Sequence, residues 1–377
     1  MTDLNRRALL AMMAATGVSA QFQAAFAAGA GGKKTIFVIL RGAMDGVAAL
    51  IPDGRDVEAL RSFTLPDRAD RLPLDSGFSL HPSLSGLQAL YRAGEVGFIH
   101  AAATPYRDRS HFDGQDFLET LGTPSTNDGW LNRVVKAAGG EGLAVGYTLP
   151  LALRGDGAAT NWSPPVFASA SDDLLDRLED LYSGHPQLAQ PLAMARATTA
   201  DGATMMGGRG GPAAQYAEAS KALGQLMSAD GGPDIGMLSF DGWDTHANQA
   251  GQFATRLSGL DAAILALKTE LGAAWDNTAI VMCSEFGRTA AENGSRGTDH
   301  GTGGLMVLAG GAVRGGRVHG DWPGLRRRDL YEGRDLAPAN EVTAVLKGVM
   351  RDHLGVSRAV LDAQVFPSSS RAMDGLI

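Results

Sequence analysis

The chain has 377 residues, of which 44% are hydrophobic and 20% are charged, so it has the material for the core of a large domain. Its formal net charge is -8, with lysine and arginine scattered along the sequence; this argues against nucleic acid as a partner, because binding phosphates requires a basic patch. The single cysteine excludes an intrachain disulfide, so the fold depends on its core or on a metal.

The first segment has the three parts of an export leader. Arg6 and Arg7 precede a short apolar run over residues 8–15, and residues 25–27 form a small-x-small cleavage site. Paired arginines at this point are typical of the twin-arginine route. The alternative is a membrane-anchoring helix, which requires about 20 apolar residues, more than this or any later stretch of the sequence supplies. We therefore expect residues 1–27 to be a twin-arginine signal peptide, and the mature protein to be periplasmic or secreted.

Short continuous apolar runs alternate with segments of helical spacing along the rest of the chain. The predicted strands are 35–40, 96–102, 143–153 (a strand or strand pair interrupted by Pro150), 235–240, 278–283 and 305–309, and the predicted helices are 83–92, 171–182, 216–227, 252–271 and 341–353. This alternation indicates an α/β fold with a mostly parallel central sheet and helices on both faces. We expect a flexible linker over 28–34 and a single domain over 35–377. A region near 155–232 is rich in Ala, Gly and Met and is expected to be a helical insertion covering one side of the sheet.

Acidic and histidine side chains fall at the ends of these strands. They are Asp45 after the first strand, His111 and Asp113 after the second, Asp241, Asp244 and His246 after the third buried strand, Glu285 after the fourth, and Asp299 and His300 just before the fifth. Ligands of open α/β sheets gather at the carboxyl ends of the strands. Clustered carboxylates repel one another unless a cation neutralises them, and carboxylate and imidazole groups bind divalent metals. The pattern predicts a shared site for Zn, Mn, Mg or Ca, although an isolated Asp at a strand end is more often a helix cap or turn former.

Ser110 has two interpretations. With Asp113 three residues later, it has the spacing of a capping box and could simply begin a helix. A hydroxyl at a helix N-terminus beside a metal could also act as a nucleophile towards a phosphoryl or sulfuryl group. In that case Arg107, Arg109 and Arg288 are candidates to hold the other oxygens, although each could be an ordinary surface arginine.

Several motifs together resemble a known family. They are Leu40-Arg-Gly-Ala-Met-Asp45-Gly46, Arg109-Ser-His-Phe-Asp113, Gly242-Trp-Asp-Thr-His-Ala-Asn248, Ser284-Glu-Phe-Gly-Arg-Thr289 and Thr298-Asp-His-Gly-Thr-Gly303. With the leader, they resemble the twin-arginine-exported bacterial family catalogued as domain of unknown function 1501. That family is similar to the alkaline phosphatase and sulfatase superfamily, so the resemblance implies an alkaline-phosphatase-like fold.

The resemblance also implies roles for individual residues. Asp45 matches a metal-bridging aspartate, Ser110 a nucleophile, and a further set matches metal ligands: Asp244, His246, Glu285 and His300. The chain has Glu285-Phe286 where the phosphatases usually have Asp-His, which leaves one imidazole ligand missing and allows one metal, a harder metal or none. Cys283 lacks the Cys-x-Pro-x-Arg context of the sulfatases, which disfavours ordinary sulfatase activity, and its place at the end of an apolar strand predicts a buried core residue.

The sequence therefore predicts an exported, metal-dependent hydrolase acting on a small anionic ester of phosphate or sulfate. Its other expected partner is the twin-arginine translocation machinery, with no nucleic acid and no stable membrane span. The alternative is a non-catalytic exported binding or assembly protein on the same fold, which the missing imidazole and the capping role of Ser110 both favour.

Overall fold

Strand β1, Lys34–Leu40, is an interior strand of the main sheet, and all seven of its residues are buried. Successive side chains of a strand point to opposite faces of the sheet. Ile36 and Val38 accordingly pack into one core cluster, and Phe37 and Ile39 into another. A strand that is covered on both faces must be apolar throughout, which explains the continuous apolar run that predicted it.

The structure is a computed structural model that describes residues 32–121, 128–163, 212–367, 369 and 371–377. The predicted signal peptide and the predicted helix over 171–182 lie outside these residues. No helix in the described ranges has the length and apolar character needed to cross a membrane.

The main sheet is built from strands that occur along most of the chain. Besides β1 they are β5 (Val96–Ala103), β6 (Gly142–Val145), β7 (Ala159–Trp162), β8 (Ile235–Phe240), β9 (Thr278–Cys283), β10 (Gly304–Ala309), β11 (Arg317–His319) and β12 (Asn340–Glu341), and a separate small sheet holds β2 (Leu50–Pro52), β3 (Leu72–Pro73) and β4 (Phe78–Leu80). The order across the main sheet is β11-β5-β10-β9-β1-β8-β6-β7, with β12 also paired to β5.

Strand β10 runs against the direction of its neighbours. It pairs antiparallel with both β5 and β9, whereas the other described pairs of the main sheet are parallel. The predicted mostly parallel sheet is therefore confirmed. Because β10 is reversed, the residues that precede it reach the same edge as the residues that follow β1, β8 and β9.

Helices cover both faces of the main sheet, as predicted. They are α1 (Gly46–Ala49), α2 (Arg55–Leu60), α3 (Ser85–Arg92), α4 (His111–Thr120), α5 (Trp130–Ala138), α6 (Pro212–Ser228), α7 (Gln249–Leu271), α8 (Val342–Asp352) and α9 (Arg358–Val360). Buried side chains of α3, α6 and α7 belong to the cluster that holds Ile36, and those of α4, α5 and α8 to the cluster that holds Phe37.

The region over 143–153 differs from its prediction. Only β6 is a strand there, and Leu151–Leu153 form a single 3-10 turn directly after Pro150. Proline has no N–H to donate to a strand ladder, so the strand cannot continue through it. The predicted insertion near 155–232 lies largely outside the described residues. Its described parts, β7 and α6, belong to a compact unit that comprises residues 28–162 and 210–377.

Candidate metal centre

Three histidines and one aspartate meet at the edge of the sheet that was predicted to hold the site. His111 is the first residue of α4, Asp244 and His246 follow β8, and His300 precedes the reversed strand β10. Each histidine directs its Nε2 atom at the Asp244 carboxylate. The distances to Asp244 are 3.0 Å for His246, 3.3 Å for His300 and 3.4 Å for His111.

The other ring nitrogen of each histidine lies against a hydrogen-bond acceptor. The pairs are His111 Nδ1 with Glu285 Oε1 at 2.7 Å, His246 Nδ1 with Asp299 Oδ1 at 3.2 Å, and His300 Nδ1 with the Arg109 carbonyl at 2.9 Å. A carboxylate or a carbonyl can only accept, so each Nδ1 atom carries the proton. In a neutral ring the Nε2 lone pair is then free, and metal-binding histidines are held in the same way.

This arrangement brings lone pairs together that need a cation between them. His246 Nε2 lies 2.9 Å from His300 Nε2, and the buried His111 Nε2 has no hydrogen-bond partner. Ligand atoms of His111, Asp244 and His300 lie within 4.8 Å of one another. Imidazole nitrogens suit zinc and its transition-metal neighbours, whereas Mg and Ca prefer oxygen ligands. The donor set therefore fits one ion of the zinc class.

The group is open to solvent on one side. The side chains of His246 and Asp244 are 44% and 41% exposed, and those of His300 and His111 are 26% and 20% exposed. Catalytic zinc sites keep one coordination position open for water or substrate, whereas structural sites are closed by protein ligands. The exposure of this group is that of an open site.

Glu285, predicted as a ligand, lies behind His111. Its carboxylate is buried, and Oε1 accepts hydrogen bonds from the Gly42 N–H at 2.9 Å and from Gln115 Nε2 at 3.0 Å as well as from His111. Burial alone would raise the pKa of Glu285, but the bonds from His111 and Gln115 outweigh it and lower the pKa. The bond to this carboxylate in turn raises the pKa of His111. Glu285 thus orients a histidine ligand.

Arg288, predicted to clamp an anion, is fully engaged in the interior. Its guanidinium donates to the carbonyls of Ala43, Thr298, Gly42 and Trp243 at 2.7–3.2 Å, and to Asp244 Oδ1 at 2.5 Å. Partial burial would raise the pKa of Asp244, but Arg288 outweighs it and lowers the pKa. The predicted role of Arg288 was wrong because its side chain is buried and its donors are used. It positions Asp244 instead.

Asp45, predicted as a metal ligand, is also outside the group. Its carboxylate is completely buried and forms an ion pair with Arg61 at 2.5 Å. It also accepts from the Ala48 N–H and so caps α1. Arg61 has no place in any of the motifs, and nothing in the sequence signalled this pair.

The remaining predicted residues have separate positions. Ser110 caps α4 by accepting from the Asp113 N–H at 3.5 Å, and it directly precedes His111. Asp113 and Asp241 are exposed and lie outside the group of ligand atoms. Asp299, a secondary candidate, is the carboxylate behind His246, and the bond from Asn293 Nδ2 at 2.9 Å helps to lower its pKa.

The Arg109 carbonyl was missed by the sequence analysis. Arg109 has a φ of 58°, in the left-handed region that a residue with a side chain rarely adopts. In this conformation its carbonyl accepts from His300, while its guanidinium pairs with Glu332 and Asp335. The side chain is the part of Arg109 that a sequence pattern can flag, and it serves elsewhere.

Comparison with known proteins identifies the family. A sequence model described as "Protein of unknown function (DUF1501)" matches residues 100–363. The chain belongs to this family. The match confirms the family predicted from the motifs, and it contains three of the four residues of the group in full context with their supporting carboxylates. No curated protein matches the chain.

Solved structures with a related arrangement include three enzymes or enzyme domains. The lipoteichoic acid synthase LtaP from Listeria monocytogenes is 10% identical, with 95% of this chain and 81% of that chain covered and a TM-score of 0.41. The C-terminal periplasmic domain of EptC from Escherichia coli is 10% identical, with 90% and 88% covered and a TM-score of 0.39. A Mg-bound mutant of TAB5 alkaline phosphatase is 14% identical, with 73% and 90% covered and a TM-score of 0.35.

Proposed function

We propose that this protein is an exported, metal-dependent hydrolase of phosphate or sulfate esters. The observation that carries the proposal is the set of three imidazoles whose Nε2 atoms converge on Asp244 while their Nδ1 atoms are held by acceptors. His111, Asp244, His246 and His300 would hold the ion. A bound ion of the zinc class supplies two things, a lowered pKa for a coordinated water and polarisation of an ester oxygen.

The protein's own residues prepare these ligands. Glu285 and Asp299 fix the tautomers of His111 and His246 and add negative charge behind them. Arg288 holds the Asp244 carboxylate against the histidines. These contacts exist before any ion binds, so little reorganisation is needed when it does.

Ser110 remains the proposed nucleophile. It stands between Arg109, whose carbonyl holds His300, and the ligand His111. Its Oγ accepts only one long hydrogen bond, at 3.5 Å, so its own proton is available to be given up on attack. A solvent molecule at the open position would be the nucleophile if Ser110 serves only as a cap.

A cavity beside the group offers space for the rest of a substrate. It has a volume of about 400 Å³ and borders Asp299, the carboxylate that holds His246. Leu60, Leu325 and Leu330 supply apolar walls, and Arg327 and Arg334 supply positive charge. An anionic ester with an apolar body is the kind of molecule that this lining suits.

The experiment measures metal content and turnover together. The mature protein would be purified, its metal measured by elemental analysis, and its activity assayed on phosphomonoester, phosphodiester and sulfate ester substrates. We expect His300→Ala to lose both metal and turnover, and the matched change of an exposed acid, Asp113→Asn, to keep both. Turnover that survives complete removal of metal, or full activity in His300→Ala, would overturn the proposal.

Ser110 is tested separately from the metal. Ser110→Ala should keep its metal and lose about 1 kcal/mol of stability with the cap, while losing most of its turnover if the hydroxyl attacks. Full turnover with normal metal content would assign the attack to water.

Export is tested with the leader itself. Replacing Arg6 and Arg7 by lysine should retain the protein in the cytoplasm, because the paired arginines are the part of the leader typical of the twin-arginine route. Unchanged arrival outside the cytoplasm would contradict that route.

A non-catalytic binding protein is the second candidate, and one observation favours it. The three arginines predicted to clamp an anion are all engaged within the described part of the chain. Arg288 is buried, Arg109 pairs with two carboxylates, and Arg107 donates to the backbone carbonyls of Thr104 and Tyr106. Stoichiometric metal without turnover on the whole panel would favour this candidate.

A further inference from the structure

Asp45 has no free position for a metal. A carboxylate has about four acceptor sites, and four donors already occupy those of Asp45. Oδ2 accepts from Arg61 Nη1 at 2.5 Å and Gln249 Nε2 at 2.6 Å, and Oδ1 accepts from Arg61 Nη2 at 3.3 Å and the Ala48 N–H at 3.2 Å. The residue is 0% exposed, so no solvent can exchange with these partners.

Arg61 is equally committed to this position. It is 1% exposed, and its remaining donors reach the Ala290 and Thr289 carbonyls at 2.7 Å each and Thr64 Oγ1 at 3.4 Å. A buried guanidinium keeps its charge, and withdrawing it would leave the Asp45 charge unpaired in the interior, at a cost of several kcal/mol. The ion pair is therefore a fixed part of the fold.

The pair is also tied to the metal centre. Gln249 donates to Asp45 and accepts from the Thr245 hydroxyl at 2.9 Å and the Thr298 hydroxyl at 2.8 Å. Thr245 lies between two of the proposed ligands in sequence, and Thr298 is two residues before a third. The buried network thus fixes the backbone that carries the ligands.

We infer that Arg61 is a built-in cation that takes the place of a metal at Asp45, so that Asp45 binds no metal and the chain's metal content is that of the histidine group alone. The expected content of one ion per chain rests on the proposed function, whereas the closure of Asp45 does not. The disagreement with the metal-bridging role implied for Asp45 follows from its partners. A divalent ion would have to displace a donor and stand beside a fixed positive charge.

Metal stoichiometry tests this inference. The purified protein would be stripped, titrated with Zn²⁺ by calorimetry and checked by elemental analysis. Because Asp45→Asn alone leaves the Arg61 charge unpaired, the double variant Asp45→Asn/Arg61→Gln removes both charges together, and circular dichroism would confirm its fold. We expect about one ion per chain in the parent and in the double variant, and a loss in His300→Ala.

The outcomes separate the two proposals. Two ions in the parent, or one ion fewer in the folded double variant than in the parent, would overturn the closure of Asp45. No ion in the parent would agree with a closed Asp45 and sink the proposed metal centre. If the double variant does not fold, the parent stoichiometry and its loss in His300→Ala decide the question.

Discussion

His100 on β5 makes the stability of this protein depend on pH. The ring is 1% exposed, Nε2 lies 2.9 Å from the Leu50 carbonyl, and Nδ1 lies 3.0 Å from the Ala101 N–H. A carbonyl only accepts and an N–H only donates, so the ring must be neutral with its proton on Nε2. Burial accordingly lowers the pKa of His100 from its ordinary value of 6.5 to about 4.

The size and sign of the effect follow from this pKa. The unfolded chain binds a proton at His100 below pH 6.5 and the folded chain only below about pH 4, so this contribution to stability is complete above pH 6.5 and is lost as the pH falls. One pKa unit corresponds to about 1.4 kcal/mol, which gives a loss of about 2 kcal/mol at pH 5 and about 3 kcal/mol below pH 4.

Urea unfolding from pH 8 to pH 4 measures this loss when the parent is compared with His100→Gln, which cannot titrate there. The variant is less stable at pH 8 because it packs less well, but the gap should narrow by about 2 kcal/mol at pH 5. His81, whose pKa burial also lowers to about 4, is present in both proteins, so its contribution cancels in the difference. Parallel pH profiles for the two proteins would refute the reasoning.

Three further predictions concern the surroundings of the metal centre. In Gly42→Ala the new Cβ would lie 2.6 Å from the Asp244 backbone nitrogen at a φ of 108°, so we expect a loss of about 1–3 kcal/mol in urea unfolding together with weaker metal binding, and an unchanged stability would contradict the close approach. Asp299→Asn should weaken metal binding about 10- to 100-fold in a chelator competition while leaving the melting temperature nearly unchanged, because the carboxylate supports His246 from a half-exposed position. Burial raises the pKa of the Cys283 thiol, with Glu285 adding to the effect, so iodoacetamide at pH 8 should label the denatured chain and spare the native one, and rapid native labelling would contradict this.

The strands buried on both faces could be predicted from the sequence because burial alone dictates their composition. The predicted runs 235–240 and 278–283 are strands β8 and β9, with the same bounds. The direction of β10 could not be predicted, since an apolar run has the same composition whichever way it runs. Its reversal is what brings His300 to the edge that His246 reaches from β8.

Part of the site was predictable for the same reason, because residues at strand ends meet at one edge. Asp244, His246 and His300 do meet there. Whether an acid at that edge is open to a metal depends on what packs against it. The partner of Asp45 is Arg61, which stands 16 residues away in the sequence without a recognisable motif. His111 was ranked second because it sits beside Ser110, whose capping pattern drew the functional interpretation.

The reversed strand also makes the segment between β9 and β10 a detachable module in evolutionary terms. The segment leaves the sheet after Cys283 and returns at Gly304, and because the two strands are antiparallel, it starts and finishes at the same edge. Glu285 and His300, which serve the metal centre, stand near its two ends, whereas its middle, around residues 291–296, is largely exposed. Insertions or deletions at that tip could change what lies above the centre while the strands and ligands keep their places. Relatives with different ligands or substrates could then arise by altering one short stretch of chain.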